Sequence, residues 1–202
     1  MEAMKGDLID WGVAARALAG ETESGDRCLV KRMGDGALLA VADGLGHGAE
    51  AAMAAELAIR TVEAHALRPL TEIVEACHRV LLRTRGAALS LAHWNAERRD
   101  LTWVGVGNVE GLLLKEGSGS RPDRERLVLR HGVVGDRLPA LQASTVPVPG
   151  EGILILATDG IADGFDQSVE MRAAAQPQAD GILARHSRDA DDALVLVARL
   201  GR

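Results

Sequence analysis

The sequence predicts an α+β fold whose sheets are largely antiparallel and whose helices gather at two places. Three observations carry this. Short apolar segments follow one another from residue 87 to residue 130 with no helix between them, a meander that excludes most repeated βαβ plans. Helical periodicity is confined to residues 49–81 and to the stretch before Ser187. Two fully apolar strands, in "ALLAVADG" and in "EGILILATDG", end in the same Asp-Gly pair.

Taken in order, residues 11–18 alternate loosely as a first strand and lead into the polar link "AGETESGD". Residues 27–31 and 37–42 form a hairpin around "MGDG", in which Asp-Gly is expected to supply the positive φ. Residues 49–66 read as a helix with Met53, Leu57 and Ala64 on the buried stripe, leaving Glu50, Glu56, Arg60 and Glu63 for solvent. After the break at Pro69 a second helix places Leu70, Ile73, Val74, Cys77 and Leu81 on one face, antiparallel to the first on one sheet. Strands follow at residues 87–94, 101–106, 109–114 and 126–130, with the polar loop 117–123 expected to be mobile. The strand in residues 151–160 leads to a helical stretch, expected as two short pieces split near Pro177, and "RDADDALVLVARL" runs into a last strand at 193–198. Residues 1–202 are expected to make a single domain.

Bulk composition narrows the function. A chain of 202 residues, 47% hydrophobic, builds a sizeable core without disulfides or a structural metal. Aromatics make up only 2%, so Leu, Val, Ile and Ala must fill that core. The net charge of -6 offers no electrostatic footprint for nucleic acid. The basic groups at Arg98-Arg99 and within residues 121–130 lack interleaved aromatics and read as solvated faces. Cys28 and Cys77 lie in apolar segments without paired spacing, which predicts two buried thiols in a reducing cytosol. The first residues carry no basic region followed by an apolar run, and no apolar stretch approaches about 18 residues; a cytoplasmic protein without membrane spans is expected.

The chemistry gathers at the strand ends. Asp43 and Asp159 each close an apolar strand before a glycine, and Asp191 and Asp192 open another. An unpaired carboxylate in a dry core is costly, so such acids face water or are neutralised. Several together invite a hard divalent cation, Mn²⁺ or Mg²⁺, held by carboxylates, backbone carbonyls and water. Gly44, without a side chain, can bring its carbonyl to such an ion. Asp26, just before a strand, is a further candidate, although alone such a residue is more often a turn or cap. No "GxSxG" elbow or "GxxxxGK[ST]" loop is present, which argues against serine-nucleophile and P-loop chemistries.

The ordered set "SGD" (Ser24 to Asp26), "VADGLGHG", "VGNVEGLLL", "GVVG", "ATDGI" and "DDALVLV" resembles the PPM family of metal-dependent serine/threonine phosphatases, and it covers nearly the whole chain. The resemblance implies a four-layer α-β-β-α sandwich of two antiparallel sheets, each with a helical pair outside. It also implies a centre of two Mn²⁺ or Mg²⁺ ions at one end. Asp43 would bridge both ions, the Gly44 carbonyl would ligate one, and Asp159 and Asp191 would hold the other side, with Asp26 acting through water. The short chain and its "DGLGHG" form are most similar to the bacterial stress-response branch. The partners so implied are phosphorylated STAS-domain regulatory proteins of a stressosome, with the enzyme acting as a monomer.

His47 departs from the eukaryotic-like "DGHG" pattern, since Leu45 stands two residues after Asp43 and the histidine follows two later. The general-acid role does not transfer to it, and a packing or hydrogen-bonding role is expected. A second reading is an inactive phosphoprotein-binding module of the same fold. Acids at all four expected positions, Asp26, Asp43, Asp159 and Asp191, speak against it.

Overall fold

A computed structural model describes residues 9–34, 36–117 and 122–201. One five-stranded sheet is ordered β1-β10-β9-β6-β7 and the other β2-β3-β4-β5-β8, and all paired strands are antiparallel. The strands are β1 (Ile9–Arg16), β2 (Asp26–Met33), β3 (Gly36–Gly44), β4 (Ala87–Asn95), β5 (Asp100–Val106), β6 (Glu110–Lys115), β7 (Asp123–Arg126), β8 (Ser144–Pro147), β9 (Gly152–Ala157) and β10 (Ala193–Leu200). Helices α1 (Ala49–Ala64) and α2 (Leu70–Leu81) cover the second sheet. Helix α3 (Ala175–His186) and a 3₁₀ turn (Phe165–Ser168) cover the first.

Three apolar layers hold the four structural layers together. Between the sheets lie Leu39, Val41, Trp94, Trp103, Leu113, Leu154 and Leu196. A second layer joins α1 and α2 to Leu38, Ala40 and Leu89, and a third joins α3 and Phe165 to Ile153, Ile155 and Val195. Central strands β3, β9 and β10 are therefore buried on both faces, which is why they read as continuous apolar runs rather than alternating ones. The sandwich is the one expected, except that its second outer layer is one full helix and a 3₁₀ turn instead of a helical pair.

Several local expectations are corrected. Helix α2 buries all five predicted residues, but α1 turns Ala51, Ala55, Ala58 and Val62 inward and leaves Met53 57% exposed. Alanine at most of the inner positions is what lets α1 lie close to the sheet, with Ile59 and Val62 the larger residues that are buried. The hairpin's positive φ belongs to Gly34, not Gly36; Asp35 is outside the described residues. Strand β1 starts at Ile9, two residues before the predicted 11–18 segment.

Strand β7 is "DRER" rather than residues 126–130, because Leu127 and Leu129 fold over the bare glycines Gly105 and Gly111 and plug the space between the sheets. Pro177 does not split a helix. It lies in the first turn of α3, where its missing N–H leaves no bond unmade. Strand β8 was not anticipated. Of the loop expected to be mobile, residues 118–121 fall outside the described part. Cys77 is buried as expected, while Cys28 is only partly so, and both are free.

The predicted solvated arginines are held singly: Arg98 by Asp100, Arg124 by Asp166 and Arg126 by Glu110. No helix among the described residues is long and apolar enough to cross a membrane.

Candidate metal centre

At one end of the sandwich the ends of four strands from both sheets meet. β2 and β3 pair so that Asp26 stands opposite Asp43. From the other sheet, β9 delivers Thr158 and Asp159, and β10 starts directly after Asp191 and Asp192. The sheets are tied here by the Thr158 hydroxyl, which donates to Asp26 Oδ2 at 2.8 Å while Leu194 N donates to Thr158 Oγ1 at 2.9 Å.

The two glycines after the strand-end acids are required by close packing. A Cβ on Gly44 would lie 2.1 Å from the Ala51 carbonyl oxygen of α1, and one on Gly160 would lie 1.9 Å from that of Asp192. The Asp-Gly pairs are thus places where another segment, the start of α1 at Gly44 and the approach to β10 at Gly160, crosses the strand end at backbone distance. Gly46 and Gly48, both at positive φ, complete the loop into α1. Gly44 N donates to Gly25 O and Leu45 N to Gly86 O, which fasten that loop to both neighbouring segments.

The adjacent acids Asp191 and Asp192 have divided tasks. Asp192 is 3% exposed, and its two oxygens accept from Leu18 N and Gly25 N, both at 2.8 Å. It is a latch for the β1–β2 link. Among the described residues Asp191 accepts only from Asp192 N, at 2.9 Å, and it is partly open to solvent. Asp159 accepts from Asn108 Nδ2 at 2.6 Å, and its backbone carbonyl accepts from Arg188 Nη1 at 3.1 Å.

Electrostatics sets this end apart. Burial pushes the Asp43 carboxyl up to about 8, with Asp26, Asp159, Asp191 and Asp192 adding to it. Burial likewise raises Asp26 to about 7, against the hydrogen bond from Thr158, with Asp192, Asp159 and Asp191 raising it further. Asp191 is raised as well, by desolvation first; the Asp192 amide opposes this, Asp159 and Asp192 add to it, and His47 lowers it. No described cation forms an ion pair with Asp26, Asp43, Asp159 or Asp191. Arg27 is near, but it donates to the carbonyls of Ser24 and Asp26 and pairs with Glu56.

All four predicted acids are therefore neighbours at one end, and none is ion-paired with a cation among the described residues. Among the described residues no three His, Cys, Asp or Glu side chains converge tightly enough to enclose an ion. The donor chemistry nevertheless fits a hard divalent cation: the groups are oxygens, Asp26 and Asp43 are desolvated, and neighbouring carboxylates repel them.

His47 stands within electrostatic reach of Asp191 but is exposed, with Nδ1 2.6 Å from Glu21 Oε1. A cleft of about 540 Å³ opens beside Asp159, walled by Leu45, Asn108, Glu110, Leu129, His131 and Val133. The roles of Thr158, Asn108 and the latch at Asp192 were not expected from the sequence. A threonine directly before Asp159 and the Gly-Asn pair after β5 were the available signals.

Residues 33–201 match the family model described as stage II sporulation protein E (SpoIIE). The chain belongs to the SpoIIE family. Membership accords with the PPM phosphatase resemblance carried by the motifs. Phosphoserine phosphatase RsbX of Bacillus subtilis (strain 168) is 34% identical over 94 residues, which are 46% of this chain and 47% of that protein. The chain thus spans about half the length of that curated relative in the match. A structure solved in work on the bacterial stressosome, as a modular system adapted to control secondary messenger signalling, is 32% identical. It superposes with a TM-score of 0.85 over 95% of this chain and 100% of that one. A crystal structure of RsbX in complex with magnesium shares the fold at a TM-score of 0.86, with 23% identity over 99% of both chains.

Proposed function

We propose that this SpoIIE-family member is a metal-dependent protein phosphatase that hydrolyses phosphoserine or phosphothreonine on STAS-domain regulators, resetting stressosome signalling. The observation that carries the reading is the set of four acids from four strand ends, brought together at one end of the sandwich, buried or half-buried, with no ion-paired cation among the described residues. The kinship with a phosphoserine phosphatase and with a stressosome structure supports the same chemistry and partner class.

Asp43, the Gly44 carbonyl, Asp159 and Asp191 would hold two Mn²⁺ or Mg²⁺ ions, with Asp26 acting through water; magnesium in the RsbX crystal structure supports that class of ion. Bound there, the ions supply a water of lowered pKa and stabilise charge on the phosphoryl oxygens. The protein's own contribution is orientation. Asn108 aims one Asp159 oxygen, and Thr158 aims Asp26 from the opposite sheet. Asp192 anchors the β1–β2 link and leaves Asp191 free to turn toward an ion.

The cleft beside Asp159 would receive the phosphorylated side chain, and its shallow apolar rim suits a folded partner better than a small free ester. Residues 1–202 would work as one catalytic unit, a monomer in the cytoplasm. Incubating the protein and Mn²⁺ with a phosphoserine STAS protein tests the reading through phosphate release. Turnover supports it, whereas tight binding without turnover would favour a phosphoprotein-binding module.

A further inference from the structure

The PPM-like chemistry leaves one role open: a group to protonate the departing seryl oxygen. Of the six histidines, His131 alone lines the cleft beside Asp159. The others are committed elsewhere. His47 is held by Glu21, His65 by the Thr61 carbonyl near the end of α1, and His78 accepts from Gly135 N. His93 borders a separate cavity with Lys31 and Arg68, and His186 ends α3.

The backbone around His131 is built to hold it still. Arg130 forms a parallel bridge with Val106, through Arg130 N to Gly105 O at 3.1 Å and Gly107 N to Arg130 O at 3.0 Å. Val134 exchanges both backbone hydrogen bonds with Ala87 at 2.9 Å, and Val133 N donates to Arg137 O. His131 therefore projects from a segment laced to the turn whose next residue, Asn108, aims Asp159. Two carboxylates share the cleft, Asp159 and Glu110, and Glu110 is paired with Arg126 at 3.0 Å. The His131 ring is exposed and makes no hydrogen bond or ion pair with the described residues. It is the cleft's one imidazole, the side chain best suited to giving up a proton near neutral pH.

We propose that His131 is the proton donor to the leaving group, an inference that rests on the phosphatase reading above. A water oxygen forms the new bond to phosphorus as the bond from phosphorus to the seryl or threonyl oxygen breaks. The electron pair of the broken bond stays on that oxygen, which takes the imidazolium proton. The attacking water gives up one proton to solvent, solvent returns a proton to the neutral ring, and the products are inorganic phosphate and the free hydroxyl.

A proton donor matters most when the leaving group is basic, which separates this role from packing or docking. His131→Ala and His131→Gln should lose about 10²-fold in kcat on a phosphoserine STAS protein. The loss should shrink along a series from phenyl phosphate to nitrophenyl phosphate, with KM and calorimetric Mn²⁺ binding little changed. An equal loss on every ester, a change confined to KM, or unchanged kcat on the phosphoserine protein would overturn the role while leaving the phosphatase reading intact. Wild-type protein that turns over none of these esters would overturn both.

Discussion

Asp26 and Asp43 stand directly opposite one another across the β2–β3 ladder, two like charges where a cross-strand pair is ordinarily apolar or of opposite sign. Burial and mutual repulsion raise both carboxyls, to about 7 and about 8. A sheet keeps such a pair only if something else neutralises it.

This relationship predicts how the metal-free protein responds to pH. Both groups bind their protons more tightly in the fold than at their ordinary value of 3.8, so between about pH 4 and 8 the folded state carries more protons than the unfolded chain. Stability is greatest below that window and falls as pH rises through it. In chelator the midpoint of thermal unfolding should drop by on the order of 10 °C from pH 5 to pH 8. Millimolar Mn²⁺ should restore most of the loss at pH 8. A chelated protein equally stable at both values would contradict the account.

Thr158 carries the inter-sheet tie to Asp26. Thr158→Val keeps the shape but removes the donor to a buried carboxylate and the acceptor for Leu194 N. It should cost about 1–3 kcal/mol in urea denaturation. Thr158→Ser should recover most of this, and equal stability of the valine variant would show the tie to be dispensable.

Gly44 is expected to tolerate no side chain, because a Cβ would overlap the Ala51 carbonyl. Gly44→Ala should displace the first turn of α1 and lose about 1–3 kcal/mol. Metal affinity should fall with it, through the displaced carbonyl. Calorimetry and denaturation unchanged from wild type would count against the close approach.

His47 and Glu21 form a hydrogen bond open to solvent, with side-chain exposures of 59% and 30%. His47→Ala should change stability by under about 1 kcal/mol and turnover of a phosphoserine substrate only a few-fold. A loss on the order of 10²-fold would move the proton-donor role from His131 to His47.

The acids were legible because charge at the end of a buried strand is conspicuous in a sequence. Helix α2 was legible because its apolar residues are large and regularly spaced. Helix α1 was harder, since its inner face is alanine and its outer face carries Met53. Strand β7 was misplaced because Leu127 and Leu129 are apolar for a tertiary reason, filling the space above Gly105 and Gly111. Strand β8 is four residues, mostly exposed, with one buried side chain to mark it. The division of labour between Asp191 and Asp192 was out of reach, because it depends on amides of Leu18 and Gly25 more than 160 residues away.

The central claim is that these strand-end acids are a metal centre, and Asp43 is the residue on which it turns. Calorimetric titration of Mn²⁺ into wild type and Asp43→Asn, with phosphate release measured on the same samples, tests it most directly. Wild type should show two sites and turnover. In the variant, binding should weaken or disappear, turnover should fall on the order of 10²-fold or more, and stability without metal at pH 8 should rise because a desolvated carboxyl is gone. Unchanged two-site binding in Asp43→Asn, or no Mn²⁺ binding by the wild type, would contradict it.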